Sequence, residues 1–131
     1  MEHLSGERIS IETEGGRLAF SPGEELRGRV EWELERAAKR IEVRLFWYTR
    51  GKGTTDVQVV KIDRVDAPTQ RGHHDFRFVL PDEPFSFSGR LISLVWALEA
   101  IAEPGERTTR LDLVVAPGGK EIVLPAVPAA S

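Results

Sequence analysis

Ser21-Pro22-Gly23-Glu24-Glu25-Leu26-Arg27-Gly28-Arg29-Val30 is a turn feeding a strand. Proline and glycine side by side set up a tight turn. From Leu26 the chain then alternates, with Leu26, Gly28, Val30, Trp32 and Leu34 in one phase and Glu25, Arg27, Arg29, Glu31, Glu33 and Glu35 in the other. A period of two with one apolar phase is the signature of a half-buried antiparallel strand. A second stretch says the same in reverse order. Phe76-Arg77-Phe78-Val79-Leu80 alternates, Pro81 stops it, and Pro84-Phe85-Ser86-Phe87-Ser88-Gly89 forms a small-residue loop leading into another strand.

Outward from these stretches the chain reads as strands separated by turns. Ile9 and Ile11 alternate with polar residues over Arg8–Thr13, and Gly15-Gly16 offers a tight turn before Arg17–Phe20. Ile41, Val43, Leu45 and Trp47 repeat the alternation up to Gly51-Lys52-Gly53. Val57–Val65, Leu91–Ala102, Leu111–Val115 and Ile122–Leu124 follow, with Pro117-Gly118-Gly119 as a further turn. Two segments also fit a helical period: Leu26, Val30, Leu34, Ala37, Ala38, Ile41 and Leu45, and Leu91, Leu94, Val95, Leu98 and Ala102. The helix reading of the first leaves Trp32, Val43 and Trp47 off the stripe and places Gly28 mid-helix. The strand reading puts all four on one face. The neighbouring period-two segments favour strands for both, and eight or nine short strands make an antiparallel β-sandwich, with Trp32, Trp47, Phe76 and Phe78 expected in its core.

In order and spacing, Pro22-Gly23-Glu24, Gly28, Val30, Phe76, Phe78, Leu80-Pro81, Pro84, Ser86, Gly89, Trp96, Leu98 and Ala100 resemble the arrestin-like superfamily, which includes arrestin-domain adaptors and bacterial sporulation-control proteins. The resemblance implies an all-β, immunoglobulin-like sandwich and a protein-interaction role. Full arrestins contain two such sandwiches, and 131 residues have length for one. The expected organisation is one arrestin-like domain over residues 1–124 and a loose tail over 125–131. No position matches a phosphate-sensing residue of the family.

Composition narrows the function classes. A net charge of -3 gives no overall footprint for nucleic acid. The absence of cysteine removes disulfides, thiol nucleophiles and thiolate metal sites together. The N-terminal segment has no apolar signal-like run, and no apolar run approaches the roughly 18 residues that suggest a spanning helix. A cytoplasmic location without membrane insertion is therefore expected. Catalytic motifs fail in turn. Gly51-Lys52-Gly53-Thr54-Thr55 lacks the glycine spacing and the hydroxyl after lysine of a phosphate-binding loop. His73 and His74 are adjacent, so on a strand they point to opposite faces and diverge from a common metal. Asp82 and Glu83 read as a solvated acidic loop, and no Gly-x-Ser-x-Gly elbow is present. No enzyme activity, cofactor or metal is expected.

What remains is surface. Phe46 and Tyr48 sit in the opposite phase from Trp47, between Arg44 and Arg50, and together these four residues form a candidate protein-contact patch, with Val60 and Ile62 as possible neighbours. The expectation is a non-enzymatic adaptor or scaffold module whose partner is a protein, with a homodimer as one form. The alternative is a carbohydrate-binding module, which needs at least one of Trp32, Trp47 and Trp96 at the surface.

Overall fold

The computed structural model describes residues 7–51, 53, 55–104 and 107–124. The expected tail over 125–131, and Lys52 and Thr54 of the glycine-flanked turn, lie outside the described residues. Among the described residues ten strands run in chain order: β1 (Arg8–Thr13), β2 (Ala19–Phe20), β3 (Glu25–Glu33), β4 (Arg40–Gly51), β5 (Val57–Asp66), β6 (Arg71–Val79), β7 (Phe87–Ser88), β8 (Ile92–Glu103), β9 (Arg107–Val115) and β10 (Ile122–Val123). The two segments with a competing helical period are both strands, β3 running towards β4, and β8. Tertiary pairing on both sides of β4 and β8 outweighs the local helical preference of their alanines and leucines.

Two sheets pack face to face. The smaller has the order β1-β3-β6, all antiparallel. The larger runs β5-β4-β8, with β9 along most of the far side of β8 and short β7 and β10 continuing beyond its start. The expected strand over Arg17–Phe20 shrinks to β2, paired in parallel with β9, because Glu14–Gly16 coils into a 3-10 turn whose end is Arg17. β6 begins at Arg71, five residues before the apolar alternation, because Glu33 to Arg29 on β3 supply a ladder for Arg71 to Asp75.

The core lies between the sheets. Leu26, Val30 and Trp32 of β3, Phe76 and Phe78 of β6, Ile41, Val43 and Leu45 of β4, and Trp96, Leu98 and Ala100 of β8 are buried there. Trp47 shares that phase and packs against the core, but it is half-buried and belongs to the margin.

The motif residues hold this sandwich together. Pro22 and Gly23 occupy the two central positions of a turn closed by Glu24 N–H donating to Ser21 O at 3.2 Å. Gly23 has φ 79°, the left-handed region the second central position of a type II turn requires. The Glu24 carboxylate accepts from the Ser21 N–H at 2.9 Å and from Arg17 at 2.6 Å. The turn then binds the other motif directly: Gly23 N–H donates to Leu80 O at 3.0 Å and Leu80 N–H to Glu24 O at 2.9 Å. Pro81, without an N–H, ends that ladder. Gly28 lies opposite Phe76, whose ring fills the space a side chain would take. A Cβ there would stand 2.4 Å from Phe76 Cζ and 2.5 Å from Glu12 O.

The loop after Pro81 is equally built in. Buried Ser86 exchanges two bonds with Val115, its N–H donating to Val115 O at 2.7 Å and its Oγ accepting from Val115 N–H at 2.9 Å. Fully buried Trp96 donates its Nε1–H to Pro84 O at 2.9 Å. A buried indole or backbone group left without a partner costs desolvation energy, so these bonds fix the loop against β8 and β9.

Candidate functional site

The outward face of the larger sheet carries the candidate site. β4 presents Glu42, Arg44, Phe46, Tyr48 and Arg50 there, because its other phase is committed to the core. The antiparallel ladders then decide what stands beside them. On β8, Glu99, Ala97 and Val95 lie opposite Arg44, Phe46 and Tyr48. On β5, Arg64, Ile62, Val59 and Val57 lie opposite Glu42, Arg44, Phe46 and Tyr48.

One irregularity sets this arrangement. The β4–β5 register slips between Leu45 and Phe46, which face Lys61 and Val59, so Val60 is an extra residue on β5. The bulge turns Val60 towards the core, where it is partly buried, and puts Val59 and Val57 on the outward face. Val60, expected from sequence as a neighbour of the patch, is therefore replaced by Val59 and Val57, while Ile62 keeps its expected place. No motif in the sequence marks a bulge; the partly apolar character of both phases of Val57–Val65 is its only trace.

Phe46 and Tyr48 are themselves buried, at 7% and 8% exposure, in a small outer cluster with Ala97 and flanking Val95. Their rings stack with centroids 6.0 Å apart and planes at 30°. Arg110 lies 4.9 Å above the Tyr48 ring, a cation–π contact. The Tyr48 hydroxyl points at the Asp112 carboxylate, 3.4 Å away, a long and weak bond. The apolar surface open to solvent lies next to them, on β5: Val57 is 60% exposed, Ile62 48% and Val59 38%.

Charge borders this strip. Glu42 is buried on the outer face and receives two bonds from Arg44, at 2.7 and 3.0 Å, and an ion pair from Arg64 at 3.2 Å. Burial pushes the Glu42 carboxyl up. The Arg44 hydrogen bond and the charges of Arg44, Arg64 and Arg40 outweigh that and hold it below the usual carboxylate range. Arg44 also reaches Glu103 at 3.7 Å, and Arg50 is exposed at the far end of β4. The four residues singled out from sequence thus share one face, with Phe46 and Tyr48 as its buried base.

The other candidate chemistry does not converge. His74 Nε2 lies 2.9 Å from Asp63 Oδ2, linking β6 to β5, while His73 is exposed in the neighbouring position. Among the described residues no group of three His, Cys, Asp or Glu is placed to hold a metal ion, and no helix is long and apolar enough to cross a membrane. Trp32 and Trp96 are buried, and Trp47 is half-buried and packs against the core, so none of the three tryptophans is fully exposed on the surface.

These features define an arrestin-like β-sandwich, as its sequence motifs imply, with an apolar strip on one outer sheet face. The fold is similar to that of Spo0M, a sporulation control protein from Bacillus subtilis, at a TM-score of 0.65 and 17% sequence identity. The match covers 86% of this chain and 50% of Spo0M, so the chain spans half the length of that protein. A β-glucosidase from Listeria innocua in complex with gluconolactone matches over 94% of this chain and 17% of its own, at a TM-score of 0.47 and 15% identity. No family model and no curated protein sequence matches the chain.

Proposed function

We propose that this domain is a non-enzymatic interaction module that engages a protein through the outer face of its larger sheet. The observation that carries this reading is the exposed trio Val57, Val59 and Ile62, continuous with the Phe46–Tyr48–Ala97 cluster and bordered by ion pairs. Exposed aliphatic side chains gathered on one sheet face, above a buried aromatic base and within a polar rim, have the make-up of an interface core. An arrestin-like scaffold, and a fold neighbour that controls sporulation, support the same assignment. A sugar-stacking role is less well served, since Trp32 and Trp96 are buried and Trp47 packs half-buried against the core.

The test is site-specific photocrosslinking in cells. A photoreactive residue at position 59 is compared with one at position 31, on the outward phase of the opposite sheet. Protein adducts from position 59 and none from position 31 are expected. Adducts absent from position 59, or equal from both, overturn the reading.

A further inference from the structure

The face just described has a definite occupant: we infer that it pairs with the same face of a second copy of this chain, as a two-fold dimer. This rests on the interaction reading and names its partner. Three observations support a copy of the chain as that partner.

The first is the rim. Arg50, Arg64 and Arg110 share the outer face with Glu42, Glu99 and Asp112, and Arg64 pairs with Glu42 at 3.2 Å and Arg110 with Asp112 at 3.4 Å within the chain, so the rim carries both signs. A two-fold axis brings a surface against itself, so a rim of one sign repels its own copy and selects an oppositely charged partner. A rim of mixed sign, largely paired within each chain, does not repel its own copy.

The second is the sheet edge. β5 ends the larger sheet and offers an unpaired backbone, yet three features blunt it. Lys61 and Asp63 lie in its inward phase opposite Leu45 and Val43, the bulge at Val60 breaks the spacing of its ladder, and Asp63 is tied to His74 of the other sheet at 2.9 Å. Inward charges and bulges are the devices that prevent strand-to-strand addition. At this end of the larger sheet association is thereby directed to the face, where it closes at two copies and does not propagate along the β5 edge.

The third is size. β5, β4, β8 and β9 at about 4.8 Å spacing, and about nine residues long at ~3.4 Å each, make a face of roughly 600 Å². Two such faces bury about 1,200 Å² in all, the lower limit for a specific stable interface. An interface at that lower limit makes a reversible dimer that responds to concentration.

Sedimentation equilibrium of the purified full chain over a concentration series tests this, with the Val59→Glu, Ile62→Glu double variant alongside. The wild type should pass from monomer to dimer with concentration. The variant should weaken the dimer at least about tenfold while keeping its melting temperature, since both side chains are exposed in the monomer. A wild type that stays monomeric to several hundred micromolar overturns self-pairing, as does a dimer that persists unchanged in the variant. The position-59 crosslink separates the two readings. An adduct of twice the chain mass supports the dimer. Foreign adducts alone, with a monomeric wild type, overturn the dimer and leave the interaction reading standing. No adduct overturns both.

Discussion

Replacing Gly28 by alanine tests whether the family-like glycine is there because an aromatic ring occupies its place. The added Cβ would stand 2.4 Å from Phe76 Cζ and 2.5 Å from the Glu12 carbonyl oxygen, both far inside van der Waals contact. The Phe76 ring is wedged beside Phe78, with centroids 5.6 Å apart, and the Glu12 oxygen belongs to the backbone of β1. Neither can yield without disturbing its neighbours. Overpacking of this kind costs about 1–3 kcal/mol. Against it, alanine restricts the unfolded chain more than glycine, a gain of about 0.4–1 kcal/mol. The net expectation is a loss of about 1–2 kcal/mol, seen as a melting temperature lower by roughly 3–10 °C for a domain of this size. Thermal and urea unfolding of Gly28→Ala, Phe76→Ala and the double variant form the assay. If the ring is the obstacle, Gly28→Ala costs less once Phe76 is alanine, with a coupling of about 0.5–2 kcal/mol. A neutral or stabilising Gly28→Ala refutes the overlap. An equal cost in both backgrounds assigns it to the Glu12 carbonyl and refutes the role given to the ring.

Ser86→Ala should cost about 1–3 kcal/mol in urea unfolding, because the Val115 N–H loses its acceptor inside the sandwich; a cost below about 0.5 kcal/mol would mean that water replaces the hydroxyl. Glu42 has its carboxyl held low in the folded state, so its contribution is present above the ordinary carboxylate pKa and is lost as pH falls through the lowered folded value. Glu42→Gln should therefore destabilise the domain at neutral pH and flatten its stability profile on the acid side; an unchanged acid limb contradicts this. Tryptophan emission should be blue-shifted and weakly quenched by acrylamide, with Trp47 supplying most of the quenchable part, since Trp32 and Trp96 are buried. Replacing Trp47 by phenylalanine should leave emission almost fully protected.

Much of the architecture was legible along the chain because it is built from local rules. A period of two with one apolar phase has to become a strand with one buried face, and that reading places Leu26, Val30, Trp32, Ile41, Val43 and Leu45 correctly in the core. Pro22-Gly23 has to turn, and Pro81 has to end a ladder. The phase opposite Trp47 had to carry Phe46 and Tyr48 away from the core, so the face of the candidate site was also readable. Tertiary structure alone decided what surrounds it. The bulge at Val60 arises from how β5 lies along β4, and it exchanges one valine for two on the outer face. Arg110 reaches the Tyr48 ring from β9, more than sixty residues away, and so buries an aromatic that strand phase would leave in water. Trp47 shares its phase with core residues yet lies at the margin, because side-chain phase states which way a residue points and not how far the opposite sheet extends over it. Periodicity is a property of one strand. Register, bulges and cover belong to pairs of strands brought together by folding, and no single stretch of sequence carries them.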